Sequence, residues 1–256
     1  MSFDHPTKST ISRGPQEKPI TRENLNDYLK ELAKEFRRLN GTKIPAEVIL
    51  IGGAAVIANY GFREMTYDID AIIQASSAMK DAINRVGIKY DLPHGWFNAD
   101  FQHTASYSAK LSEVSVYYKA YSNALQIRTV AAEYLIAMKL FSGRQYKNDL
   151  SDVAGILFEH KRRGEPIERD VIEVAIEKLY GDIQLPETST ELMNTAFTNG
   201  DYEKLYTESR ESEKLSKEIL VEFEQDYPNT LKGENISDII EKAKQKRAAQ
   251  RKDNSD

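Results

Sequence analysis

The chain has no cysteine among its 256 residues. That absence removes disulfide frameworks, zinc–thiolate sites and thiol nucleophiles, and it suits a reducing cytoplasm. No apolar run approaches the ~18 residues that a membrane helix needs. The polar opening MSFDHPTKSTISRGPQEKP holds no apolar stretch of the kind a secretory signal carries. A soluble cytoplasmic protein without a membrane partner is therefore expected. Histidine is scarce, and His5, His94, His103 and His160 stand in unrelated contexts without metal-ligand spacing. Neither a G-x-S-x-G elbow nor a Walker lysine loop occurs, so serine-hydrolase and P-loop chemistries lack their parts. The net charge is only −5, which argues against whole-surface binding to nucleic acid but leaves room for a local basic patch.

Hydrophobic residues make up 40% of the chain, enough for a sizeable core in one large or two small domains. Residues 1–20 are polar with three prolines and read as a flexible arm. Thr21 is placed to cap a helix, and Leu25, Tyr28, Leu29, Leu32, Phe36 and Leu39 recur at helical intervals, so Arg22 to Leu39 is expected to lie on a sheet. A strand Val48–Ile51, a helix from Ala54, a strand Ile69–Ile73 and a helix Ser77–Val86 follow. Two further strands, Val114–Tyr118 and Leu125–Arg128, join through Ser122-Asn123. After Val130 the pattern turns helical, with helices Val130–Phe141, Asn148–Lys161 and Glu168–Tyr180. The fold class expected is α+β with an α/β-type core: a small mixed sheet flanked by helices, followed by a helical C-terminal region. The division is 1–20 arm, 21–129 core, 130–185 helical region closing a cleft, and 186–256 charged helical extension.

The chemistry concentrates between Val48 and Ile73. An apolar strand ends in Gly52-Gly53, a short apolar helix follows, and Arg63 and Thr66 lead into Asp68-Ile69-Asp70. At the head of an alternating strand, Asp68 and Asp70 point to one face, roughly 6.6 Å apart at about 3.3 Å per residue. Two hard oxygen ligands so placed suit Mg2+ and a triphosphate. Without Cβ atoms at Gly52 and Gly53, backbone N–H groups approach phosphate closely, and the next helix presents its positive end. Gly-Gly is often only a tight turn, and Asp-x-Asp occurs in many strands that meet solvent. Joined in this order within one strand–helix–strand unit, they indicate a metal-dependent nucleotidyl transfer site.

A second cluster comprises Lys139, Arg144, Lys147, Asp149 and Asp152. Lys139 is the only cation within the apolar helix Ala131–Phe141. It would either snorkel to solvent or join Arg144 and Lys147 on the β- and γ-phosphates. Asp149 and Asp152 would either cap their helix or orient Lys139 and Arg144.

The string GGAAVIANYGFREMTYDIDAII resembles the signature of the nucleotidyltransferase superfamily of the DNA polymerase beta type. Together with GWFN and AAEYLIAMKLFSGRQYKNDLSDV, it resembles a bacterial branch related to the AbiEii and MenT toxins, over about Glu47 to Phe158. Gly53 stands where many members carry Ser, and 14 residues separate it from Asp68. The resemblance implies a nucleotidyltransferase fold and a site with two Mg2+ ions on Asp68 and Asp70. It also implies nucleotide contacts from Gly52, Gly53, Arg63, Thr66, Lys139, Arg144 and Asp149. An NTP would be the substrate and a tRNA or protein hydroxyl the acceptor, with a cognate antitoxin as partner if the chain is a toxin. A catalytically degenerate, antitoxin-like binding module is the alternative. The superfamily's third carboxylate falls to Asp100 or Glu113: Glu113 lies just before a strand, whereas Asp100 follows the more distinctive GWFNA string and is preferred. Either could equally serve locally, Asp100 capping a helix near Phe101 and Glu113 at a solvated edge.

Two peripheral features complete the reading. Trp96 is expected as an anchor beneath its loop, with a nucleobase stacked on Trp96 or Phe97 as the minority view. The stretch from Asn199 to Asn229 forms one long charged helix whose thin stripe, Leu205, Leu215, Ile219 and Phe223, suits a helical partner or dimer interface. Six Lys or Arg between Lys242 and Lys252 make a basic tail that either binds a phosphate backbone or only solubilises the terminus.

Overall fold

The computed structural model describes residues 18–41 and 45–253. Most of the proposed N-terminal arm, residues 1–17, lies outside them. A mixed sheet forms the centre. Its strands are β2 (Ala46–Leu50), β4 (Ile69–Gln74), β5 (Phe97–Asn98), β6 (Ser115–Tyr121) and β7 (Leu125–Val130), in the order β5-β4-β2-β7-β6. β2 runs antiparallel to β4 and parallel to β7, while β4 and β5 are parallel. The run Val48, Ile49, Leu50 and Ile51 is buried throughout. A continuous apolar run of this kind belongs to a strand covered on both faces. β6 and β7 meet through three residues between the paired Tyr121 and Leu125, of which Ser122 and Asn123 are at positive φ, as a tight hairpin turn requires.

Helix α1 (Arg22–Asn40) begins with Thr21 and Asn24 capping each other reciprocally. Its apolar side, including Leu25, Leu29, Leu32 and Phe36, enters the core. A short pair of strands, β1 (Ile20–Thr21) and β3 (Met65–Thr66), ties the start of the chain to the segment before Asp68. Helix α2 (Gly52–Asn59) begins two residues earlier than the sequence suggested, because Gly52 adopts φ 55 and turns the chain directly out of β2. Helix α3 (Ala78–Tyr90) follows β4.

The helical half consists of α4 (Ala132–Ser142), α5 (Asp149–Arg162), α6 (Arg169–Tyr180), α7 (Glu187–Asn199), α8 (Tyr202–Asp226) and α9 (Ile236–Asp253). One buried cluster runs from Ile20 through the sheet to Leu205 on α8. The apolar stripe of α8 is therefore corrected. Leu205 and Ile219 are buried within the chain, and α8 lies along α5 and α9, so its partner helices are its own. α7 was not anticipated: its sequence, ETSTELMNTAFTN, has few apolar residues, of which Leu192, Met193 and Ala196 are buried and Phe197 packs partly against the core. Among the described residues, no helix is long and apolar enough to cross a membrane.

Candidate functional site

The two glycines do different things. Gly52 opens α2 and faces the carboxylate of Asp70, since a Cβ built there would come within 3.6 Å of Asp70 Oδ2. Gly53 makes room for side chains. A Cβ on it would lie 2.7 Å from Thr66 Oγ1 and 2.8 Å from the Arg63 guanidinium. Thr66 is buried opposite Ile20, and Arg63 donates from Nε to the Met65 carbonyl at 3.1 Å. Arg63 and Thr66 thus pack against the glycine corner.

Asp68 is exposed one position before β4, and Asp70 is half-buried on it. Burial pushes the Asp70 carboxyl up to about 6, with negative Asp68 next in effect; Arg144 and Lys139 pull it back, and Asp100 adds to the rise. Asp100 starts a short 3-10 turn directly after β5, whose register sets Asn98 opposite Asp70. The strand that neighbours the first pair is therefore the one leading to Asp100. Glu113 ends a different 3-10 turn and does not line the cleft. GWFN was legible as a loop, and the two-residue strand inside it was not.

Asp70 opens onto a cleft of about 230 Å³ whose walls include Gly52, Asp100, Phe101, Lys139 and Arg144. Ser106 and Ser142 also line it and share a hydrogen bond of 2.6 Å. Phe101, Thr104, Ser106 and Ser142 were missed by sequence reasoning, because they lie in loops and helix ends with no periodic signal. Trp96 is the anchor expected. It is buried with its Nε1–H donating to the Ile83 carbonyl, and buried Phe97 packs edge-on against it, which removes both from base stacking. Phe101 is the aromatic ring in the cleft wall.

The second cluster is an ion ladder. Lys139 Nζ lies 2.7 Å from Asp149 Oδ1 and 2.9 Å from Asp152 Oδ2, and Arg144 Nε lies 2.7 Å from Asp149 Oδ2. Arg63 pairs with Asp152 at the other end. Lys139 is 7% exposed, so it does not snorkel. Burial opposes its charge, but Asp149 and Asp152 outweigh that and hold its ammonium above the usual value. Burial likewise opposes ionisation of Asp149, yet Lys139 and Arg144 bring its carboxyl down to about 2. Asp149 thus seats both cations, while half-exposed Arg144 reaches the cleft. Lys147 is exposed and lines neither the cleft nor the ladder.

The donor set fits a magnesium ion only with help from substrate. Among the described residues, no three His, Cys, Asp or Glu side chains gather as a metal-holding group. Mg2+ is commonly held by one or two carboxylates and completed by substrate phosphates. Asp70 lines the cleft, while Asp68 does not line it but stands exposed two residues away, near enough to raise the Asp70 carboxyl.

One family matches, described as "Nucleotidyltransferase of unknown function (DUF6036)", over residues 27–161. That span contains Gly52, Asp68, Asp70, Asp100, Lys139, Arg144 and Asp149, and stops short of α6 to α9. No curated protein and no solved structure matches the chain.

Proposed function

We propose that this chain, which belongs to the DUF6036 family of nucleotidyltransferases of unknown function, transfers a nucleoside monophosphate from an NTP to a hydroxyl group of an RNA or protein acceptor. The observation that carries the reading is the meeting of Asp70 with the Gly52 end of α2 in one cleft with Arg144 and Lys139. An anionic ligand there finds helix N–H donors and cations on one side and metal-binding carboxylates on the other.

Asp68 and Asp70 would hold Mg2+, which when bound supplies positive charge to the triphosphate and to the leaving pyrophosphate. The first-turn N–H groups of α2 bind phosphate oxygens. Asp149 engages Arg144 through Nε and Nη2, leaving Nη1 for a phosphate oxygen. Lys139, already ion-paired, contributes potential rather than a donor. Phe101 offers a face for the base. The acceptor oxygen attacks the α-phosphorus in line, the bond to the α–β bridging oxygen breaks, and pyrophosphate leaves. The hydroxyl proton passes to Asp100, the carboxylate that lines the cleft beside Asp70. Positioning and electrostatics supply most of the rate.

The test is label transfer from each α-labelled NTP with Mg2+ and total tRNA or cell extract, beside the double variant Asp68→Asn, Asp70→Asn. Transfer by wild type alone supports the reading, and equal label from both ends it. Among the described residues Asp68, Asp70 and Asp100 do not gather closely enough to hold a metal ion as a group of three, which favours a second reading, a nucleotide-binding module without catalysis. It predicts Mg2+-NTP binding with no transfer. The resemblance to AbiEii and MenT toxins extends the first reading to a toxin. Induced expression should then arrest growth, and Asp70→Asn should relieve the arrest.

A further inference from the structure

Helix α5 carries Asp149 and Asp152 in its first turn, yet its own N-cap residue, Asn148, provides no side-chain cap. Four N–H groups at a helix start need acceptors. Here the acceptor comes from α8: Glu213 Oε1 receives the N–H of Leu150 at 2.8 Å and of Ser151 at 3.2 Å. Glu213 is 4% exposed, so this carboxylate of the charged helix is inside the protein. Such burial is costly for an acid unless it holds something in place.

The same face of α8 grips the other segment of the site. Tyr206 and Arg210 stand one helical turn apart, at i and i+4, with Glu213 at i+7. The Tyr206 hydroxyl donates to the Phe62 carbonyl at 3.0 Å, and Arg210 lies 3.7 Å from Glu64. These contacts flank Arg63, which pairs with Asp152. One helix outside the matched span therefore braces both ends of the ladder.

We propose that Glu213 is a positioning residue of this site: its carboxylate fixes the first turn of α5 and so holds Asp149 and Asp152 where they set Lys139, Arg144 and Arg63 for an incoming triphosphate. The proposal rests on the nucleotidyltransferase reading above. The ionised carboxylate is the stronger acceptor and the better partner for a helix start. Burial pushes Glu213 up to about 7, its bonds to Ser151 and Leu150 oppose the rise, and negative Asp152 adds to it. Lys244 of α9 faces it with opposite charge, while Glu191 of α7 and Glu208 of α8 line the adjoining cavity. The charged brace is thus complete at pH 8 and lost by pH 6.

Glu213→Gln keeps the volume and one acceptor while removing the charge. Affinity for each of the four Mg2+-NTPs should be measured at pH 6, 7 and 8, with thermal melting as the check on folding. For the nucleotide that binds, the variant should be about tenfold weaker than wild type at pH 8, the gap between a charged and a neutral hydrogen bond. That ratio should close by pH 6, where wild-type Glu213 is itself neutral. A ratio constant with pH, or no difference at all, overturns the proposal. If the variant does not fold, amide exchange in wild type decides: protection at Leu150 and Ser151 falling through pH 7 supports the brace, and flat protection overturns it. Failure of wild type to bind any Mg2+-NTP sinks the parent reading instead and leaves Glu213 a helix cap alone.

Discussion

The two charge clusters that meet at Arg144 are built on opposite rules. Around Asp70 nothing cancels the crowding: burial raises its carboxyl most, and like-charged Asp68 and, less, Asp100 raise it further. Around Asp149, charges alternate from Arg63 through Asp152, Lys139 and Asp149 to Arg144, and each carboxylate has a cation within hydrogen-bonding distance. The ladder is satisfied within the chain and serves as scaffold. Among the described residues no cation forms an ion pair with Asp68 or Asp70, and Arg144 and Lys139 only pull the Asp70 carboxyl part of the way back. A carboxyl so perturbed in a cleft is the kind of group the proposed site would use.

Breaking the ladder should cost most. Asp149→Ala leaves Lys139 and Arg144 facing a buried vacancy, and the expected loss of stability is about 3–5 kcal/mol, read by denaturant melting. A loss below about 1 kcal/mol would mean that the ladder is no scaffold. Acid should erode the same contact in wild type. The Asp149 carboxyl sits at about 2 in the folded chain against an ordinary 3.8, so its contribution is fully present above about pH 3.8 and disappears as pH falls toward 2. On the order of 2 kcal/mol is at stake, and Asp149→Asn should flatten the profile in that window.

The acidic pair should behave in the opposite sense. The Asp70 carboxyl is raised, from 3.8 to about 6, so at neutral pH its ionised form opposes folding. Asp70→Asn should therefore stabilise the metal-free protein by roughly 1–2 kcal/mol while abolishing nucleotidyl transfer. A variant that is both less stable and inactive would place Asp70 among the scaffold residues and erase the contrast. Smallest is the effect at the glycine corner. Gly53→Ala forces its methyl against Thr66 Oγ1 and the Arg63 guanidinium. A cost of about 1 kcal/mol is expected, because Arg63 is long enough to yield. Unchanged stability would show that the corner has slack.

Much of this was legible because it is local. Helix α1, the buried strand β2, the hairpin through Ser122 and Asn123, and the sequence of helices α4 to α6 follow from periodicity and turn chemistry within short windows. Asp68, Asp70 and Gly52 were legible because one strand–helix–strand unit carries them all. Asp100 was preferred to Glu113 for its distinctive string alone; that β5 sets it beside β4 was not legible, since a two-residue strand has no period to read. Phe101, Ser106 and Ser142 gave no signal, and neither did Glu213, which looked like any other acid on a charged helix.

The order of residues alone determined strand β2, the Gly52 corner and strand β4 with Asp70 near its head, because apolar runs and a glycine turn act within short windows whatever surrounds them. Which cations stay buried, which carboxylate completes the cleft and which distant helix caps α5 were decided only by the tertiary structure. Those outcomes depend on burial and on distances between segments, such as the 63 residues separating Glu213 from Leu150, that no local pattern encodes.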